Sequence, residues 1–148
     1  MANQSFLGKG MKFPPQINRT TGRFVCASGA ESVKESIYLI LMTQKTERFM
    51  RPEFGSNILS YTFTDMGGGM LTLMASDIAG TIAAQEPRVT DVNVNMDPDS
   101  KPGCLFINIE YTLIETNVRE NMVFPFYLNA GEEEEGEPYE TADYDINM

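Results

Sequence analysis

The sequence predicts an α+β fold: an extended N-terminal arm, two main helices packed on a small antiparallel three-stranded sheet, and a disordered acidic C-terminal tail. Three observations carry this. Apolar residues recur twice at helical spacing between residues 33 and 82, and the period changes to two beyond residue 89. The last 18 residues carry eight acidic groups, no basic one, and too few apolar groups to fold alone. With 148 residues, 42% of them hydrophobic, the chain suits one globular domain with a modest core. The expected divisions are an arm over 1–27, the folded domain over 28–130 and the tail over 131–148.

Taken in order, the first thirty residues are rich in Gly, Pro, Asn and Thr, with isolated apolar groups at Phe6, Leu7, Phe13 and Ile17. They read as an arm with a short strand at 23–26 that needs a surface, either its own domain or a neighbour. Residues 28–48 open on Ser28-Gly-Ala-Glu31, the spacing of a capping box, so a helix should start there. Val33, Ile37, Ile40 and Leu41 form its core-facing stripe, with Lys34, Glu35 and Gln44 off it, and Arg51-Pro52 ends the pattern.

Residues 57–63 are a short apolar piece, and the run Asp65-Met-Gly-Gly-Gly69 should break regular structure. A second helix is predicted through Leu71, Met74, Ile78 and Ile82 to Gln85, ended by Pro87. Its small flanking residues would allow a neighbour to approach closely. Val89, Val92 and Val94, then Leu105, Ile107, Ile109, Tyr111 and Leu113, predict a hairpin joined by a seven-residue connection at 97–103. A third strand follows at Met122, Val123, Phe124, Pro125, Phe126, Tyr127 and Leu128, where Pro125 demands an edge or bulged position.

The residue inventory excludes much of ordinary catalysis. Histidine is absent and the only cysteines are Cys26 and Cys104, so no zinc site or Cys-His or Ser-His nucleophile can be assembled. No cofactor or metal is expected, and the two cysteines read as reduced thiols. Eight of the ten net negative charges lie in the tail; the other 130 residues hold 13 acidic and 11 basic groups, which offers no footprint for nucleic acid. No stretch is long and apolar enough to span a membrane, and no leader or lipidation signal is evident. The chain is expected to be soluble, made and assembled in the cytoplasm.

Three motifs carry a resemblance: Phe6-Leu-Gly-Lys-Gly10 with Phe13-Pro14-Pro15; Thr43-Gln-Lys-Thr-Glu47-Arg48-Phe-Met-Arg51-Pro52-Glu-Phe54-Gly55; and Glu86-Pro87-Arg88-Val89. In that order and spacing, across residues 6–128, the chain resembles the baseplate wedge or sheath-initiator family of contractile tails, the lysozyme-like family that includes the wedge protein of type VI secretion. Thr46 stands where a glycine is usual, the Gly67 to Gly69 run is atypical, and the tail extends beyond the pattern. The resemblance implies a structural, non-enzymatic subunit present in about six copies per particle. Its implied partners are other wedge proteins, sheath subunits, and the hub or inner tube base.

The resemblance also implies that Glu86, Pro87 and Arg88 meet the wedge scaffold; the residues alone favour an internal salt bridge closing the helix end. Glu47, Arg48 and Arg51 follow a helix, where Arg48 can neutralise terminal carbonyls, Phe54 plug the core and Gly55 adopt a positive φ. A direct wedge contact by Arg48 or Arg51 is the other reading. The strand from Met122 to Leu128 is the candidate edge for an incoming sheath strand. The acidic run at Glu132 to Glu135 is a solvated tail or a ligand for a basic neighbour. A hydrolase would need two carboxylates in a cleft, and Glu31, Glu47, Glu86 and Glu110 are available, although tryptophan is absent and no sugar platform is visible.

Overall fold

The computed structural model describes residues 7–128 except 63, 65, 66 and 102, with the backbone alone at 99–101. The tail lies outside the described residues. Two helices cover one face of the antiparallel sheet β5 (Val89–Lys101), β6 (Cys104–Leu113) and β7 (Arg119–Tyr127), in the order β5-β6-β7. The predicted α+β architecture is therefore the observed one.

The arm is folded locally rather than plainly extended. β1 (Lys9–Met11) pairs with β4 (Cys26–Ser28), and β2 (Ile17–Asn18) pairs with β3 (Arg23–Phe24) in a small ribbon. Asn18 turns the ribbon: its Oδ1 accepts from the N–H groups of Thr20 and Thr21, and its carbonyl accepts from Gly22. Leu7 joins the main core at 3% exposure, and Phe13 stacks near Tyr38, whose other neighbour is Phe124 of β7. Much of the arm thus lies on its own domain, while Ile17 and Phe24 stay exposed side by side on the ribbon.

Helix α1 (Ala30–Met42) buries Val33, Ile37, Ile40 and Leu41 as the stripe predicts. The capping box does not form. Ser28 is held in β4 opposite Lys9, so the helix starts after Gly29 at φ 64°, and no side chain caps it. Glu31 pairs instead with Lys12 at 3.4 Å. The helix also stops earlier than the pattern suggests, because Thr43 turns extended and both its N–H and its hydroxyl donate to the Leu39 carbonyl.

A 3₁₀ helix at Ile58–Tyr61 precedes α2 (Gly68–Gln85), which buries Met74, Ile78 and Ile82. Gly68 and Gly69 form the first turn of α2 instead of breaking structure, since tertiary packing of the apolar stripe outweighs roughly 1 kcal/mol of poor propensity per glycine. Nothing lies within 4 Å of a β-carbon built at Gly80, so that glycine is not itself a point of close approach.

The seven-residue hairpin connection is corrected as well: β5 runs on to Lys101, which pairs with Cys104. Its register slips twice, between Thr90 and Asn93 and between Asp97 and Lys101. The first slip is a bulge with Asp91 at φ 51°, which returns Val92 and Val94 to the face toward the helices. Leu105, Ile107, Ile109, Tyr111 and Leu113 fill the core from β6, and Met122, Phe124 and Phe126 from β7. Each such fully buried aliphatic or aromatic side chain contributes ~2 kcal/mol of transfer free energy.

Candidate functional site

The three sequence-predicted sites occupy separate places. Glu86 caps α2, its N–H donating to the Ile82 carbonyl, and its side chain turns inward at 2% exposure. Arg88, two residues on at the start of β5, clasps it: Nε donates to Oε1 and Nη2 to Oε2, both at 2.7 Å. Pro87 holds the intervening backbone and is exposed. The remaining nitrogen of Arg88 donates to the Leu7 carbonyl at 2.9 Å and to the Ser32 hydroxyl at 3.4 Å. One guanidinium thereby ties the arm, α1, α2 and β5 together.

Burial by itself would raise the Glu86 carboxyl, but hydrogen bonds from Arg88 and Ser36 and the Arg88 charge outweigh it and hold it below the ordinary carboxylate range. Its hydrogen bond to Glu86 in turn pushes Arg88 upward against the opposing effect of burial. A carboxyl so stabilised as an anion is unsuited to general acid chemistry.

Glu47, Arg48 and Arg51 lie in the loop between α1 and the 3₁₀ helix. The helix having ended at Met42, Arg48 is not placed to neutralise its carbonyls. Arg48 and Arg51 instead stack over Phe54, at 4.8 and 5.9 Å from the ring centroid. Phe54 is half-buried beneath them and outside the main core, so it is no core plug. Glu47 turns back on the loop and accepts from the Gln44 N–H at 3.0 Å. Gly55 does adopt a positive φ, 110°, and a β-carbon there would stand 2.3 Å from the Thr43 carbonyl oxygen. Sequence reading missed Gln85, which accepts from the Gly55 N–H and donates to its carbonyl, both at 2.8 Å. No local pattern signals that contact, since it joins residues thirty apart.

Strand β7 is an edge, as Pro125 requires. The Leu128 N–H donates to the Gly103 carbonyl, which sets the phase of the β6–β7 ladder. Phe124 and Phe126 fall in step with that bond and turn their backbone groups to β6; Val123, Pro125 and Tyr127 fall out of step and turn theirs to the open side. The missing N–H of Pro125 therefore costs the sheet nothing. The same alternation puts Met122, Phe124 and Phe126 in the core and leaves Val123, at 54% exposure, and Tyr127, at 62%, on the outer face.

The carboxylates Glu31, Glu47, Glu86 and Glu110 are dispersed: on α1, in the loop, in the buried ion pair and on the outer sheet face. A polar cleft of about 580 Å³ between the loop and α2 is lined by Lys45, Arg51, Glu53, Phe54, Asp77 and Gln85 among others, and by none of those four. Asp77 there accepts from the Tyr61 hydroxyl at 3.4 Å. Among the described residues no group of three or more potential ligands gathers to hold a metal, and no helix is long and apolar enough to cross a membrane. Cys26 is exposed and Cys104 buried, both as free thiols.

Comparison with known proteins places this arrangement. Residues 27–118, more than half of the chain, match the family described as Baseplate wedge protein gp25. The protein of that name from Enterobacteria phage T4 is 28% identical over 87 residues, 59% of this chain and 66% of the phage protein, so the chain spans just under two thirds of that relative. Among solved structures, a Geobacter sulfurreducens protein provisionally described as a tail lysozyme is 36% identical, with a TM-score of 0.67 over 74% of this chain and 100% of that one. Two more share the fold at lower identity. A chain of the anti-feeding prophage baseplate has 22% identity and a TM-score of 0.58, covering 87% of this chain and 92% of that one. A chain of the type VI secretion baseplate complex has 15% and 0.55, covering 66% and 92%. The matched residues include both helices, the braced loop, the Glu86–Arg88 junction and the β5–β6 hairpin, and on that match the chain belongs to the baseplate wedge protein gp25 family.

Proposed function

We propose that this protein is a structural wedge subunit in the baseplate of a contractile injection particle, a phage tail or a related machine, where it joins the wedge scaffold and initiates sheath polymerisation. The observation that carries the proposal is the edge of β7, unpaired on its outer side among the described residues, whose Val123 and Tyr127 N–H groups face outward on either side of Pro125. Such an edge accepts a partner strand through its main chain, and the proline keeps two copies from pairing continuously through it. Exposed Pro87 with the outer edge of Arg88, and the loop residues Glu47, Arg48 and Arg51, serve as scaffold contacts. Six copies in a ring would multiply modest single contacts. The protein acts by shape and is made in the cytoplasm of the producing cell; it binds no nucleic acid and needs no cofactor.

The test is a proline at Val123, which removes an outward N–H without touching the β6 ladder. Baseplates carrying the folded Val123→Pro protein should bear no sheath, and those carrying Val123→Ala should bear shortened or fewer ones; sheaths of normal length on the proline variant would reject β7 as the initiating edge. A hydrolase reading draws on the description of the Geobacter relative and on Glu53 and Asp77 in the cleft. It would be adopted if the purified protein degraded peptidoglycan and Glu53→Gln or Asp77→Asn abolished that activity.

A further inference from the structure

The loop between α1 and the 3₁₀ helix is braced along its whole length. The Thr43 carbonyl accepts from the Ser56 N–H at 2.8 Å, the Ser56 carbonyl from Lys45 at 3.1 Å, and the Pro52 carbonyl from Thr46 at 2.7 Å. Gln85 of α2 grips Gly55 from both sides, and the two arginines lie on the Phe54 ring. At the tip of this rigid support stand Phe49 and Met50, 94% and 85% exposed and outside the hydrophobic core. No other large apolar side chain among the described residues is as exposed. The bracing and the exposure together are what distinguish this tip: a floppy loop would lose its order on binding, whereas this one presents its apolar pair already positioned.

Resting on the baseplate reading, we infer that Phe49 and Met50 form a preorganised knob that inserts into an apolar socket, rimmed by carboxylates, on another protein of the particle. The charge follows from the flanks. Arg48 and Arg51 bracket the pair, and neither has an ion-pair partner among the described residues. Both arginines are exposed with Cζ over the Phe54 ring, Arg51 also lining the polar cleft, so their N–H groups are accessible to carboxylates in the planar geometry arginine favours. Two copies of the same tip would bring four guanidiniums together, so the knob disfavours self-pairing through this loop. Two apolar side chains with no continuing amphipathic surface are also too little to hold a lipid bilayer. The partner is therefore a protein surface, and an exposed Phe-Met pair flanked by arginines has the composition enriched at protein interfaces.

The experiment places a photoreactive benzophenone amino acid at position 49 in the full chain and irradiates particles purified from producing cells. A cross-link to one other baseplate protein, at an apolar segment bordered by Asp or Glu, is expected. A protein present in baseplates but uncross-linked, or cross-linked only to a second copy of this chain, overturns the inference and leaves the wedge reading standing. Absence of the unmodified protein from baseplates overturns the wedge reading itself. In parallel, Phe49→Ser with Met50→Ser should keep the urea midpoint of the unmodified protein and reduce its retention in baseplates by about tenfold or more. Retention equal to that of the unmodified protein would reject the knob.

Discussion

At the residue scale the Glu86–Arg88 pair decides most. Removing one partner of a buried pair strands the other, so Glu86→Ala is expected to destabilise by ~3 kcal/mol, and Glu86→Ala with Arg88→Ala by less than the two single changes summed. Urea unfolding of the three variants measures both; an unchanged midpoint for Glu86→Ala would refute the clamp. Because the folded carboxyl is depressed, its contribution is present above the unfolded-state value and is lost as pH falls through the folded one. Stability should thus drop on acidification below pH ~4, and Glu86→Gln should lack that component. Tyr111 gives the opposite window. Burial first, then the charges of Glu120 and Glu86, push its hydroxyl up to about 12. The folded protein holds the proton that the unfolded chain gives up near pH ~10, so stability should decline from there towards pH 12, and Tyr111→Phe should flatten the decline.

At the scale of elements, the start of α1 and the base of the braced loop give contrasting expectations. A working Ser28 cap would be worth ~1 kcal/mol; with Ser28 held in β4 and no cap bond made, Ser28→Ala should change stability by less than ~0.5 kcal/mol. Gly55→Ala should be severe. It forces a side chain into a positive φ and against the Thr43 carbonyl, for an expected loss of ~3 kcal/mol with the loop displaced. Thermal or urea unfolding checks both, and a tolerated Gly55→Ala would show that the loop is held less firmly than its hydrogen bonds imply.

For the molecule as a whole, the arm belongs to the stability of the domain. Leu7 fills the core and its carbonyl takes a hydrogen bond from Arg88, while β1 pairs with the strand that leads into α1. Deleting residues 1–8 should cost ~3 kcal/mol, about the burial of one leucine plus a charge-assisted hydrogen bond, measured as a lower urea midpoint. The same removal should leave the β5-β6-β7 sheet intact, since its ladder draws nothing from the arm.

Much of this was legible from local pattern. Val33, Ile37, Ile40 and Leu41, then Met74, Ile78 and Ile82, and then the alternation through β6 named the buried faces correctly, because burial imposes the period of the element on its apolar residues. Pro125 identified an edge strand for a similar reason: only there can a missing N–H go unpaired. The bulge between Thr90 and Asn93 was not read from the Val89, Val92, Val94 spacing and came only with the strand register. Ordered motifs carried the family, since order and spacing survive where single residues drift. Tertiary structure alone decided the rest. Ser28 could cap a helix or pair in a strand, and the arm settled it; the three glycines could end a helix or begin one, and the core settled that. Whether Glu86 and Arg88 turn inward, and whether Phe49 and Met50 stand free, depends on which neighbours the fold supplies from far along the chain. Local sequence sets what each residue can do, and long-range packing selects which of those options is satisfied.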